Sequence, residues 1–226
     1  MVKQQPIFYI KDFGCTDFLG LWNIQKQILN LKIKVLNKKY NFILVLEHNN
    51  VYTFGTSTKC SNFFRFSNNK TFKKIKIFKV DRGGKVTSHG PGQLVIYFIL
   101  DLFLFNYDFN LYLRFLENII LITLLKNKIF AFRIINKSGI WVRNYNLFYK
   151  IGFIGIKIIN YITKHGLALN INPDLNIFFS ILTCGINNKN YCVTSIEKET
   201  EKSIKKKSFK TNLKNELCFF FNFIKL

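Results

Sequence analysis

Between two apolar runs, Ile75-Lys76-Ile77-Phe78 and Leu94-Val95-Ile96-Tyr97, the chain concentrates four of its 12 glycines in Arg82-Gly83-Gly84-Lys85-Val86-Thr87-Ser88-His89-Gly90-Pro91-Gly92-Gln93. Glycine lets a backbone approach a ligand closely and supplies the positive φ angles of tight turns. The pattern predicts a strand, a ligand-hugging loop and a second strand. A glycine-rich hairpin turn that binds nothing competes with that reading. A P-loop is excluded, because Gly84-Lys85 is followed by Val86 rather than Ser or Thr.

The surrounding chain alternates helical and extended patterns. Phe18, Leu21, Trp22, Gln25, Ile28 and Leu29 recur at three- and four-residue steps, which predicts a helix over Thr16–Leu31 with Thr16 as its cap. Phe42-Ile43-Leu44-Val45-Leu46-Glu47 reads as a buried strand and Leu111–Leu125 as a buried helix. Gly139–Arg143 and Tyr149–Ile159 read as strands joined around Asn144-Tyr145-Asn146, and Gly166–Ile171 as another strand that Asn172-Pro173-Asp174 ends. No linker rich in Pro, Gly or Ser divides the 226 residues, and strands and helices do not alternate strictly. The expectation is one α+β domain over 1–226. Residues 198–215, centred on Lys205-Lys206-Lys207, form a highly charged segment expected to be a solvated helix or frayed, followed by an apolar cap, Leu217–Phe223.

At 49% hydrophobic and 17% aromatic residues the chain can bury a sizeable core and is not of a disordered class. Its 34 Lys+Arg against 12 Asp+Glu give a formal charge of +22, which points to an acidic partner. The excess of Lys, Asn, Ile, Phe and Tyr also follows from A/T-rich codons, and the lysines are scattered rather than gathered on one motif, so charge is a weak guide to function. A basic nucleic-acid-binding module is the reading that charge and aromatics alone would support. The five cysteines (Cys15, Cys60, Cys184, Cys192, Cys218) show no CxxC spacing, which argues for a reducing compartment and against a zinc ribbon or disulfide framework. All but Cys184 read as small buried hydrophobes. No signal-peptide pattern is visible, and Leu94–Phe105 is too short to span a bilayer, so an intracellular protein without membrane contact is expected.

Three further segments follow the glycine run in order: Lys150-Ile151-Gly152-Phe153-Ile154-Gly155, His165-Gly166-Leu167-Ala168-Leu169-Asn170 and Thr183-Cys184-Gly185. Together with Glu47-His48, Tyr97 and Thr194-Ser195-Ile196 they resemble the lipoyl(octanoyl) transferase family over most of the chain. The resemblance implies the biotin/lipoate protein ligase catalytic fold, a mostly antiparallel sheet flanked by helices. It implies octanoyl transfer from octanoyl-acyl carrier protein to a lysine of lipoyl domains, in 2-oxoacid dehydrogenase complexes or the glycine cleavage H protein, as the first step of endogenous protein lipoylation. Both partner classes are acidic.

The family's nucleophilic cysteine falls on Cys184, and the lysine that lowers its pKa on Lys150. A free thiol titrates near 8.5, so a cation beside it is needed to hold a thiolate at neutral pH. By the same resemblance Arg82, Gly83, Gly84, Lys85, Val86, Thr87, Ser88 and His89 form one wall of the acyl pocket, and Phe153, Ile154, Gly155, Gly166, Leu167 and Ala168 the others. Backbone N–H groups near Gly83–Gly84 or Gly166–Leu167 are read as oxyanion donors. His89 and His165 are read as structural, and His48 as a packing or turn contact. No cofactor, no metal, no nucleic acid and no ATP are implied, and a monomer is expected. Bacterial cytoplasm, in an A/T-rich endosymbiont, is the expected location; a parasite plastid would give the same codon bias.

Three positions depart from the family pattern. Thr183 stands where proline usually precedes the nucleophile, Phe153 where a small residue is usual, and Phe98 where proline usually follows the tyrosine. Phe153 is expected to shorten or reshape the pocket. The closest rival reading is an ATP-dependent lipoate or biotin ligase of the same fold, but the G-R-G-R run of biotin ligases is absent and a reactive cysteine is unnecessary there. An inactive relative is the remaining alternative.

Overall fold

A computed structural model describes residues 5–34, 39–58, 75–179, 181 and 191–224. The chain opens with β1 (Ile7–Thr16), α1 (Phe18–Lys34) and β2 (Tyr40–His48), a crossover unit in which β1 lies parallel to β2. A small sheet follows, with β3 (Val51–Phe54) parallel to β4 (Lys76–Lys79) and antiparallel to β5 (Val86–His89). Then come β6 (Gln93–Ile99), a 3₁₀ turn at Leu102–Phe105 and α2 (Phe109–Lys126). Three strands, β7 (Phe132–Ile134), β8 (Lys137–Asn144) and β9 (Leu147–Ile159), lead to β10 (Ile162–Asn170). The chain finishes with α3 (Asn176–Phe179), β11 (Tyr191–Val193), α4 (Ile196–Thr200) and α5 (Lys206–Ile224).

The main sheet runs β1-β2-β6-β10-β9-β8-β7, with β11 added to β9. Its pairings are antiparallel except β1 with β2 and β11 with β9. Every residue of β6 and β10 is buried, so these strands are covered on both faces. Side chains alternate across the sheet. Ile43, Val45, Leu94, Ile96, Phe98, Leu167 and Leu169 pack beneath α2 and α5. Leu44, Leu46, Val95, Tyr97, Ala168 and Phe153 face α1 and α3. The result is an α+β fold, a mostly antiparallel sheet flanked by helices.

Local chemistry explains the boundaries. The cap of α1 is Asp17 rather than Thr16: the Asp17 carboxylate accepts from Gly20 N at 3.0 Å, while Thr16 is still paired with His48 in the β1–β2 ladder. Asp108 caps α2, accepting from Asn110 N and Leu111 N, which starts that helix two residues before the expected Leu111. The glycine run is not one loop; Val86–His89 within it is a strand because it pairs with Val51–Phe54. The charged C-terminal region contains α5, whose Phe209, Leu213, Leu217 and Phe221 recur every fourth residue on the buried face. Lys210 Nζ lies 2.8 Å from Glu47, and Lys214 Nζ 2.8 Å from Asp12, so α5 is fastened to the sheet by charge as well as packing. Cys15 and Cys218 are exposed and Cys192 is half-buried, against the expectation of buried thiols; Cys60 lies outside the described residues. Among the described residues no helix is long and apolar enough to cross a membrane.

Candidate active site

The register of three strands builds the floor of a cavity. Val95 of β6 stands opposite Ala168 of β10, which stands opposite Phe153 of β9; one step along, Tyr97, Gly166 and Gly155 align in the same way. Two glycines in the second row leave space, and the glycine loop fills it from above. A Cβ on Gly155 would lie 3.0 Å from Arg82 Cδ, and Gly83 N donates to Ile156 O at 2.9 Å. Between floor and loop is a cavity of about 380 Å³, within the rough 300–1,000 Å³ range of small-molecule sites. Except for Val86 and Ser88, which lie outside its lining, it brings together every described residue expected at the acyl pocket. Val86 sits instead in the small apolar cluster with Tyr52 and Phe54. Thr183, Cys184 and Gly185 lie outside the described residues.

Lys150 also lines this cavity and is 1% exposed. Its ammonium makes no ion pair or hydrogen bond among the described residues; the rings of Trp141 and Phe153 each lie 5.2 Å from Nζ. No Asp or Glu is among the described lining residues, whereas Arg82, Lys85 and Lys137 are. A buried cation without an anion is costly unless a ligand or a reacting group uses it. Room for this side chain comes from Gly139, where a Cβ would sit 2.5 Å from Lys150 Cε.

The polar wall is held by directed hydrogen bonds. Arg82 Nη2 donates to Thr53 O at 2.7 Å and Thr53 Oγ1 at 2.8 Å. Gln93 Nε2 donates to Asn170 Oδ1 at 3.0 Å, so Gln93 Oε1 accepts from His89 Nδ1 at 2.6 Å and fixes the His89 tautomer. Asn170 Nδ2 continues the chain to Thr194 O at 2.8 Å, and Thr194 N donates to Lys150 O at 3.0 Å. The network thus ties the glycine loop to the strand that carries Lys150. His48 Nδ1 donates to Thr16 O at 3.1 Å, leaving Nε2 to accept from the Tyr97 hydroxyl at 2.8 Å. Burial pushes His48 down to about 4. Burial and, less strongly, neighbouring His48 push His89 down to about 3. Both rings are neutral hydrogen-bonding groups at neutral pH.

His165 is anchored differently. Its Nε2 lies 2.8 Å from Asp81 Oδ1, and Lys164 Nζ donates to the same carboxylate at 3.1 Å. The His165 hydrogen bond, helped by Lys164 and opposed by burial, holds Asp81 well below the usual carboxylate range. This cluster pins the start of the glycine loop to β10.

Two expectations change in detail. Gly83 N is committed to Ile156 O, and Gly166 and Leu167 are paired on both sides, with β6 and β9. These groups are therefore occupied, which removes Gly83 from the expected oxyanion donors. Phe153 stacks on Phe178 with centroids 5.5 Å apart and lies beside the Lys150 ammonium, so its reach is toward the charged end of the cavity. Trp141, Tyr97 and Thr53 were not expected at the site. Trp141 reaches the cavity through its pairing with Lys150 of β9, which no local sequence signal marks. Among the described residues no three His, Cys, Asp or Glu side chains gather as metal ligands would.

Comparison with known proteins agrees with this architecture. Residues 20–218 match the family model described as the lipoyl protein ligase A/B catalytic domain. An octanoyltransferase of Cytophaga hutchinsonii is 35% identical over 94% of this chain and 91% of its own. An octanoyltransferase of Flavobacterium psychrophilum is 37% identical over 89% of this chain and 93% of its own. Among solved structures, P. falciparum LipL1 in complex with lipoate superposes with a TM-score of 0.64 at 17% identity, over 96% of this chain and 60% of that longer one. The chain belongs to the lipoyl protein ligase A/B catalytic-domain family, among its octanoyltransferases.

Proposed function

We propose that this chain is an acyltransferase that moves an octanoyl group onto a lysine of lipoyl domains, the first step of protein lipoylation. The observation that carries the reading is Lys150, a buried side chain with no carboxylate beside it among the described residues, at one end of a cavity walled by the glycine loop. The octanoyltransferase relatives, at 35% and 37% identity over most of the chain, supply the acyl group.

In the first half-reaction the Cys184 thiolate attacks the octanoyl thioester of the acyl carrier protein. A Cys184 S–C bond forms, the bond to the phosphopantetheine sulfur breaks, and that thiol leaves with a proton from Lys150. In the second, the ε-amine of the acceptor lysine attacks the Cys184 thioester; a C–N bond forms and the Cys184 thiolate leaves. Lys150 takes the proton that the amine loses. A thioester becomes an amide, which is downhill and needs no ATP. The chain's high positive charge suits two acidic partners, the acyl carrier protein and the lipoyl domain. Bacterial cytoplasm is the compartment that this chemistry and the cysteine usage favour.

The test is intact-mass measurement after incubation with octanoyl-acyl carrier protein. The expected result is one octanoyl adduct, absent in Cys184→Ala and discharged by an apo lipoyl domain without ATP. Modification of the lipoyl domain only with free octanoate and ATP would replace this reading with an ATP-dependent ligase.

A further inference from the structure

We infer that Phe153 and Trp141 form an aromatic clamp that positions the Lys150 ammonium inside the cavity. Phe153 is thereby a positioning residue for that lysine rather than a mere wall of the acyl pocket. The inference rests on the role given to Lys150 above.

Three observations carry it. Both ring centroids lie 5.2 Å from Lys150 Nζ, inside the roughly 6 Å reach of a cation–π contact. Both rings are nearly buried, Trp141 at 2% and Phe153 at 6% exposure, so the attraction is little screened by water. Neither ring is free to turn away: Trp141 packs edge-on to Tyr191 at 5.5 Å, and Phe153 stacks on Phe178. Gly139 leaves the space on the remaining side, where a Cβ would meet Nζ at 3.2 Å.

Among the described residues that line the cavity, no carboxylate stands near the ammonium. Arg82 and Lys85 of the glycine loop, Lys137 and Ser138 of β8, His89 of β5, Tyr97 of β6 and His165 of β10 line the same cavity. Burial holds His89 and His165 neutral at neutral pH, and the three cations repel the ammonium. Val193 of β11 stands opposite Lys150 in the sheet. The quadrupoles of the two aromatic faces supply an attractive field for the ammonium.

The test keeps shape constant and changes only the ring's electrostatics. Phe153 is replaced in the full-length protein by phenylalanine carrying one, two or three ring fluorines, and by Phe153→Met. The rate at which Lys150 is acetylated by trace acetic anhydride is followed over a pH series by peptide mass. Withdrawing ring electrons weakens the hold on the protonated form, so the midpoint should fall stepwise, by about 0.5–1.5 pH units at three fluorines. Phe153→Met should fall at the low end of the series, and Phe153→Trp should restore the original midpoint. A midpoint that stays flat through the fluorinated series would overturn the clamp, because a packing role does not respond to fluorine count. A stepwise fall in a protein that transfers no octanoyl group would keep the clamp and remove the transferase reading. A flat midpoint with intact transfer would do the reverse.

Discussion

Replacing Gly139 by alanine should damage both the fold and the lysine it shelters. Gly139 has φ +88°, a left-handed conformation that costs a residue with a Cβ about 1–2 kcal/mol. The added methyl would also lie 2.3 Å from Gly152 O and 2.5 Å from Lys150 Cε, and overpacking of this kind costs about 1–3 kcal/mol more. A total of about 2–5 kcal/mol lowers the melting temperature by roughly 4–20 °C in a protein of this size. Any relief must come from moving the Lys150 side chain, since the other neighbour is backbone, and a shift near 1 Å can cost about 100-fold in rate. Gly14→Ala is the control: Gly14 has φ +62° but nothing within 4 Å of its Cβ position, so it carries the backbone cost alone. Thermal unfolding followed by circular dichroism, with octanoyl-adduct formation measured on the same samples, separates the two effects. If Gly139→Ala melted no lower than Gly14→Ala and formed the adduct at the parent rate, the packing argument for Lys150 would be wrong.

Three further outcomes follow from the same geometry. Lys150→Met keeps a long unbranched side chain while removing a buried charge that has no ion pair among the described residues. It should reduce transfer by about 10²–10⁴-fold with the melting temperature unchanged or higher, as read by single-turnover assay and calorimetry. Glu47→Gln should destabilise the fold at neutral pH by about 1–3 kcal/mol, because Lys210, 2.8 Å away, loses its anion and Gly92 N its charged acceptor. Burial works against the Glu47 carboxylate, but Lys210 and Gly92 outweigh it and hold its pKa low. The gap to the parent in urea unfolding should therefore persist at neutral pH and close as pH falls through that depressed value. His48 titrates at about 4 when folded against an ordinary 6.5, so between those values the unfolded chain binds more protons. Stability should fall as pH drops from 6.5 toward 4, and His48→Asn should flatten that slope in denaturant titrations at several pH values.

Much of the fold was legible because its periodicities are strong. The apolar run Phe42–Glu47 and the buried strand beginning at Gly166 lie on the central strands, where both faces are covered and no polar alternation is needed. The edge strand β1 went unread because its Ile7–Thr16 burial pattern is irregular and its pairing depends on the distant β2. Val86–His89 looked like loop for a similar reason: its strand character comes from pairing with β3, 32 or more residues earlier in the chain. At the site, the glycine run marked a ligand loop in the sequence, whereas the wall residues and Lys150 came from the family resemblance. Trp141 and Thr53 were not legible, since they reach the cavity by register alone. The oxyanion assignment to Gly83 missed that its N–H is already donated to Ile156, a partner 73 residues away in sequence.

The most direct test of the account is the mass of the protein after exposure to octanoyl-acyl carrier protein, in parallel with Lys150→Met and Cys184→Ala. One octanoyl adduct is expected on the parent, passed to an apo lipoyl domain without ATP, with none on Cys184→Ala and far slower loading of Lys150→Met. A parent protein that gains no mass, or Lys150→Met loading at the parent rate, would contradict it.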